Sequence, residues 1–136
     1  MRLGQLTLTY GASLFTFLAL DFLWLGVLAR DFYRQNMGDL MRSDVRWLPA
    51  LAFYALFVAA VLVFVVLPAA ERASLARAAL LGAFFGLVTY ATYDLTNLAV
   101  LHGFRTGLAV VDMAWGTVLC AAVSVVGYVV ATRLAG

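Results

Sequence analysis

Three aspartates, Asp21, Asp94 and Asp112, lie within stretches that are otherwise apolar enough to cross a membrane. A charged side chain near the middle of a spanning helix costs roughly 2.5–3.5 kcal/mol on insertion scales, so each aspartate needs a partner, a proton or a watery cavity. Three neighbouring carboxyls cannot all be ionised cheaply, so we expect at least one to carry a proton at neutral pH. These residues could therefore exchange protons or bind a cation.

Aromatic side chains accompany two of the three acids. Asp21 and Trp24 are three residues apart, as are Asp112 and Trp115, so each pair shares one face of a helix. An indole N–H can donate a hydrogen bond to a buried carboxylate. No catalytic or metal-binding residue is assigned, and no cofactor is expected. The predicted ligand- or proton-binding residues are Asp21, Trp24, Tyr90, Tyr93, Asp94, Asn97, Asp112 and Trp115.

The elements that must position these residues are membrane-spanning helices. The chain has 136 residues, of which 65% are hydrophobic and 12% are charged, whereas soluble domains are about a quarter charged. Four apolar segments, at about 6–28, 47–67, 78–101 and 107–131, approach or exceed the roughly 20 residues that a helix needs to cross the hydrocarbon core. The predicted fold is all-α, an integral membrane four-helix bundle forming a single transmembrane domain over 1–136. Pro68 is expected to close the second helix.

The depth of each aspartate can be read from its distance to the nearest helix end. The first helix ends near Leu28, which puts Asp21 about 10 Å below the face that carries the loop between the first two helices. The same reckoning puts Asp94 at a similar depth and Asp112 about one and a half turns inside. We therefore expect the three carboxyls to meet in one half of the bilayer.

Small residues predict where the third and fourth helices touch. Gly82 and Gly86 are four residues apart and lie on the face that carries Asp94. Gly116, Cys120 and Ser124 form a similar ridge on the fourth helix. Because small residues let helices approach closely in lipid, the packed face should also be the face that carries the acids.

The loop at 30–46 is polar and holds four of the nine arginines. A weakly amphipathic stretch after Gly38 predicts a short interfacial helix between helices 1 and 2. Arg30, Arg34 or Arg105 could fold inward as counter-ions for the aspartates, and the loop could act as a lid over them.

Composition also limits the classes of function. The net charge of +2 is too small to indicate nucleic-acid binding, and the single Cys120 excludes oxidoreductases that need a Cys-x-x-Cys pair. The N-terminus lacks the plan of a signal peptide, so the first helix is expected to stay as an anchor. Four arginines flank the helices on one side and five on the other, which leaves the orientation in the membrane open.

Three blocks of the sequence are familiar: DFLWLG at 21–26, TYATYDLTN at 89–97 and VDMAWGT at 111–117. Together they resemble the blocks of a bacterial predicted membrane protein family, domain of unknown function 2177. The resemblance covers nearly the whole chain and implies a four-helix, multi-pass protein of the bacterial inner membrane. It implies no activity, substrate or cofactor.

Three functions stay open on these observations. The favoured hypothesis is proton- or cation-linked binding or transport of a small solute, with aromatic walls that suit an organic cation. The main alternative is an accessory or assembly subunit whose polar groups only specify helix packing. A less favoured alternative is a membrane enzyme acting on a lipid or isoprenoid, with aspartates holding Mg²⁺ against a phosphate. The expected partners are membrane lipids and a small solute or proton, and a homodimer would enlarge any pathway.

Overall fold

The computed structural model describes residues 2–135, so Met1 and Gly136, the ends of the predicted domain, lie outside the described residues. Within that range the chain is helical without strands, and four helices are long and apolar enough to cross a membrane. The predicted all-α membrane bundle is confirmed. The four spans, numbered in chain order, are Leu3–Leu28, Trp47–Glu71, Leu75–Val100 and Thr106–Leu134.

The second span does not stop at Pro68 but continues through it to Glu71. A proline inside a helix removes one backbone hydrogen bond, and helices tolerate it where the preceding turn is rearranged. Here the turn Leu62–Val66 is π-helical, with hydrogen bonds reaching five residues back. The wider turn directly before Pro68 lets the helix pass the proline, which the proline's position alone did not indicate.

The short helix of the long loop lies before Gly38, at Arg30–Met37, and not after it. We call this segment the loop helix. Gly38 ends it with φ of 55° and ψ of −127°, a conformation that glycine adopts without strain. After a 3-10 turn at Gly38–Leu40, residues 41–46 are not helical. The predicted position of the interfacial helix was wrong. Residues 30–37 are rich in charge, but one face of their helix is apolar and buries Tyr33.

The fourth span is the centre of the bundle and packs along most of the third. A Cβ atom built on Gly82 would lie 2.8 Å from the backbone carbonyl oxygen of Cys120, and one on Gly86 would overlap the carbonyl of Gly116. The backbones of the two spans are therefore in direct contact. This contact brings the helix face of Asp94 against the helix face of Asp112.

The second span is packed unevenly. Its last part, Leu62–Glu71, packs against the third and fourth spans, whereas its first part, Trp47–Val61, packs mainly against the first span. At the end of the bundle that carries the loop at 30–46, which we call the loop side, the second and third spans therefore separate. The ring of Phe57 in the second span still contacts the third span. Its centroid lies 5.5 Å from that of the Phe85 ring and 6.3 Å from that of the Tyr90 ring.

Candidate functional site

Asp21 is held by two donors from two other spans. The Trp115 indole donates from Nε1 to Oδ1 of Asp21 at 3.2 Å, and the Tyr54 hydroxyl donates to Oδ2 at 3.2 Å. The Asp21 side chain is buried, with 6% of its surface exposed. Both carboxyl oxygens are thus hydrogen-bonded by donors that need no charge of their own.

Asp112 is held by the loop helix. The Tyr33 hydroxyl donates to Oδ1 of Asp112 at 2.7 Å, and the Trp24 indole in turn donates to the Tyr33 oxygen at 3.2 Å. Burial raises the pKa of the Tyr33 phenol, so this group stays a neutral donor at physiological pH. The rings of Trp24 and Trp115 stack with centroids 4.6 Å apart and an interplanar angle of 9°. This stack joins the surroundings of Asp21 to those of Asp112.

The indoles therefore pair across the bundle rather than along each helix. Trp115, which lies three residues after Asp112, donates its hydrogen bond to Asp21, while Trp24 donates to Tyr33. The two helix faces anticipated from the three-residue spacings do meet, but neither indole donates to the aspartate of its own span.

Asp94 has the least satisfied environment of the three acids. Its side chain is fully buried, and neither carboxyl oxygen receives a hydrogen bond from any residue in the described range. Asp94 lines one cavity together with Asp112. Two carboxyls are both acceptors when ionised, so they bond to each other only when one of them carries a proton.

No arginine neutralises these acids within the described part of the chain. Its one salt bridge joins Arg42 to Asp44 at 3.7 Å, and both side chains are exposed. Arg30, Arg34 and Arg105, the arginines considered as counter-ions, are all exposed. The carboxyl cluster thus has hydrogen-bond donors but no cationic partner among residues 2–135.

Two cavities meet at Asp112. The larger has a volume of about 570 Å³, and its lining includes Asp21 and Asp112. The smaller has a volume of about 230 Å³, lies beneath the loop helix and contains Asp94 and Asp112. The other residues that line the larger cavity are Leu25, Phe53, Tyr54, Phe57, Thr89, Tyr90, Thr92 and Tyr93.

The loop helix covers the smaller cavity. Tyr33 and Met37, one helical turn apart, line it together with Met41, which follows the 3-10 turn. The long loop thus lies over the Asp94–Asp112 pair.

Asp112 shares a cavity with each of the other two carboxyls. Asp21 and Asp112 line the larger cavity, and Asp94 and Asp112 line the smaller one. Among the described residues, no three His, Cys, Asp or Glu side chains are grouped closely enough to hold a metal ion. Asp112 is the residue that connects the two halves of the cluster.

The remaining predicted residues lie at different distances from the acids. Tyr90 packs on Gly116, where any side chain would strike its ring, and it lines the larger cavity. Tyr93 lines both cavities. Asn97 is not among the residues that line either cavity.

Sequence reasoning missed Tyr33 and Tyr54, which both donate to the acids. Tyr54 carried a usable signal, because it is the one tyrosine of the second span and lies as many residues from Trp47 as Asp21 does from Leu28. Equal distances from the loop-side ends of antiparallel helices place two side chains at equal depth. Tyr33 carried a weaker signal, a phenol four residues before Met37 on one face of a charged segment.

The family described as predicted membrane protein (DUF2177) matches residues 6–129, which is most of the chain. The chain belongs to the DUF2177 family. The matched region contains the whole second and third spans and all but the outer ends of the first and fourth. It includes every residue of the carboxyl cluster. No curated protein and no solved structure matches the chain, so the comparisons attach no activity to it.

Proposed function

We propose that this DUF2177 protein binds a small solute at its intramembrane carboxyls and couples that binding to the movement of a proton or a cation. The observation that carries the proposal is Asp94, a fully buried carboxyl whose two oxygens meet no donor in the described chain and which lines a cavity with Asp112. A carboxyl pair that shares one proton can release it when a cationic group arrives.

The two cavities support a coupled mechanism. Asp112 lines both, so a proton on the Asp94–Asp112 pair can be influenced from either side of Asp112. The larger cavity falls within the size range of small-molecule sites, about 300–1,000 Å³. Tyr33 connects Asp112 to the loop helix, so movement of that helix would change the donors available to the pair. We further propose the bacterial inner membrane as the location.

A test measures proton movement driven by a solute in liposomes that contain the purified protein and a trapped pH dye. Butyltrimethylammonium is a suitable probe, because it carries a permanent charge and cannot cross the bilayer by losing a proton. Addition of the probe should move protons in the wild type and not in Asp94→Asn. Asp39→Asn, a matched change in the exposed loop, should behave as the wild type. Equal proton movement in Asp94→Asn and the wild type would overturn the proposal.

A second candidate, an accessory subunit whose polar groups only hold helices together, is favoured by the surroundings of Asp21. That carboxyl is satisfied at both oxygens by residues of the second and fourth spans, as a packing residue would be. Under this reading, Asp94→Asn would lower the amount of folded protein while no probe moves protons through the wild type. The lipid-modifying enzyme has weaker support, because the carboxyls do not form a three-ligand metal site within the described range.

A further inference from the structure

We infer that the larger cavity is reached sideways from the bilayer and that it takes an amphiphilic organic cation, an apolar body that carries a quaternary or protonated amine. This inference rests on the proposed function and names the class of its solute and the route to the site.

The route is the separation of the second and third spans on the loop side. The walls of the larger cavity come from Phe53, Tyr54 and Phe57 of one span and from residues 89–93 of the other. These two stretches belong to the parts of the spans that do not pack closely together. The cavity therefore has side walls formed by two diverging helices and a base formed by Phe57.

The rim of this separation faces the hydrocarbon. Phe53 is 46% exposed and Tyr93 is 52% exposed, and Thr92 is also exposed. All three lie well inside membrane spans, so the medium that meets their exposed surface is lipid rather than water. A molecule dissolved among the acyl chains would meet this opening without crossing a polar surface.

The chemistry inside the cavity selects a cation. The inner end holds Asp21 and Asp112, and Asp94 lies behind Asp112 with no donor from the described chain. No arginine of that chain lies among the lining residues to balance these acids. An anionic amphiphile would be repelled by these carboxyls, and a neutral one would gain no attraction from them.

The walls select an apolar body beside the charge. Phe53, Phe57 and Tyr90 present aromatic rings along the cavity, and an organic cation is attracted to the faces of such rings. Strongly hydrated ions such as Na⁺ would gain little from these walls. The combination of an acidic inner end, aromatic walls and a lipid-facing rim fits a molecule with a cationic end and a hydrocarbon end.

The test is the rate at which radiolabelled alkyltrimethylammonium probes bind to the protein in lipid nanodiscs, corrected for uptake by empty nanodiscs. Membrane accumulation rises roughly fourfold with each added methylene, so the apparent association rate should rise with chain length from butyl to dodecyl. A rate that does not depend on chain length would overturn access from the bilayer.

Variants at the rim make the test specific. Thr92→Trp places a bulky ring in the opening and should slow association by roughly tenfold. Thr96→Trp is the matched control, because Thr96 is an exposed threonine one turn further along the same span and outside the cavity lining. Should Thr92→Trp not fold, Phe53→Trp closes the opposite side of the rim, with the exposed Leu56→Trp as its control.

Failure of this inference differs from failure of the proposed function. If the rim variants bind the probes as fast as their controls while Asp112→Asn loses binding, sideways access is wrong and the carboxyl site stands. If Asp112→Asn binds every probe as the wild type does, both are wrong.

Discussion

Tyr54→Phe removes one hydroxyl from the carboxyl cluster and leaves the ring in place. That hydroxyl donates to Asp21 at 3.2 Å, and Asp21 is too buried for water to take its place freely. Hydrogen bonds to charged groups contribute about 1.5–3 kcal/mol, and the long distance here favours the lower end of that range. We therefore expect the free energy of unfolding to fall by about 1.5 kcal/mol at neutral pH.

Tyr10→Phe is the matched control. Tyr10 also links the first span to the second, but its hydroxyl donates to the neutral backbone carbonyl of Ala55 at 2.8 Å. Hydrogen bonds between spans average about 0.6 kcal/mol, so this variant should lose less stability. The two losses also differ in their pH dependence. Acid that protonates Asp21 removes the charge that strengthens the Tyr54 bond, so the cost of Tyr54→Phe should shrink as the pH falls, whereas that of Tyr10→Phe should not.

The assay is reversible unfolding in mixed micelles, followed by circular dichroism over a series of pH values. Equal losses for the two variants at every pH would show that the Tyr54 hydroxyl does not donate to an ionised Asp21.

Two other perturbations test the contacts that position the cluster. Gly86→Ala should destabilise the bundle by about 1–2 kcal/mol, because its new methyl group meets the backbone of Gly116 and the overpacking outweighs the better helix propensity of alanine; Gly11→Ala, where the same methyl group meets open space, should cost nothing in the same unfolding assay. Tyr33→Phe removes the donor to Asp112 and should loosen the loop helix, which hydrogen exchange of its backbone amides would detect as faster exchange; unchanged exchange would mean that the Tyr33 hydroxyl does not hold the loop helix in place.

Much of the bundle could be predicted because hydropathy and helix rise act on each span separately. The apolar runs located the four spans. Counting residues from the helix ends predicted that Asp21 and Asp112 lie at similar heights, and both line the larger cavity. The glycines at 82 and 86 indicated the contact of the third span with the fourth, since only a small residue permits that approach.

The parts that could not be predicted depend on how helices rotate against one another. The second span is apolar on every side, so its sequence does not show that Tyr54 faces Asp21 or that Trp47–Val61 diverges from the third span. The hydrogen bond from Trp115 to Asp21 likewise depends on how the first and fourth spans cross. The binding role of the carboxyls stays a prediction.

The most direct test of the account is the protonation of the Asp94–Asp112 pair, measured by infrared difference spectroscopy on the protein in nanodiscs. If the pair shares a proton that the solute displaces, a band from a protonated, buried carboxyl is present at neutral pH and disappears when butyltrimethylammonium is added. The same band is absent from Asp94→Asn combined with Asp112→Asn. A wild type without this band, or with a band that the probe leaves unchanged, would contradict the shared proton.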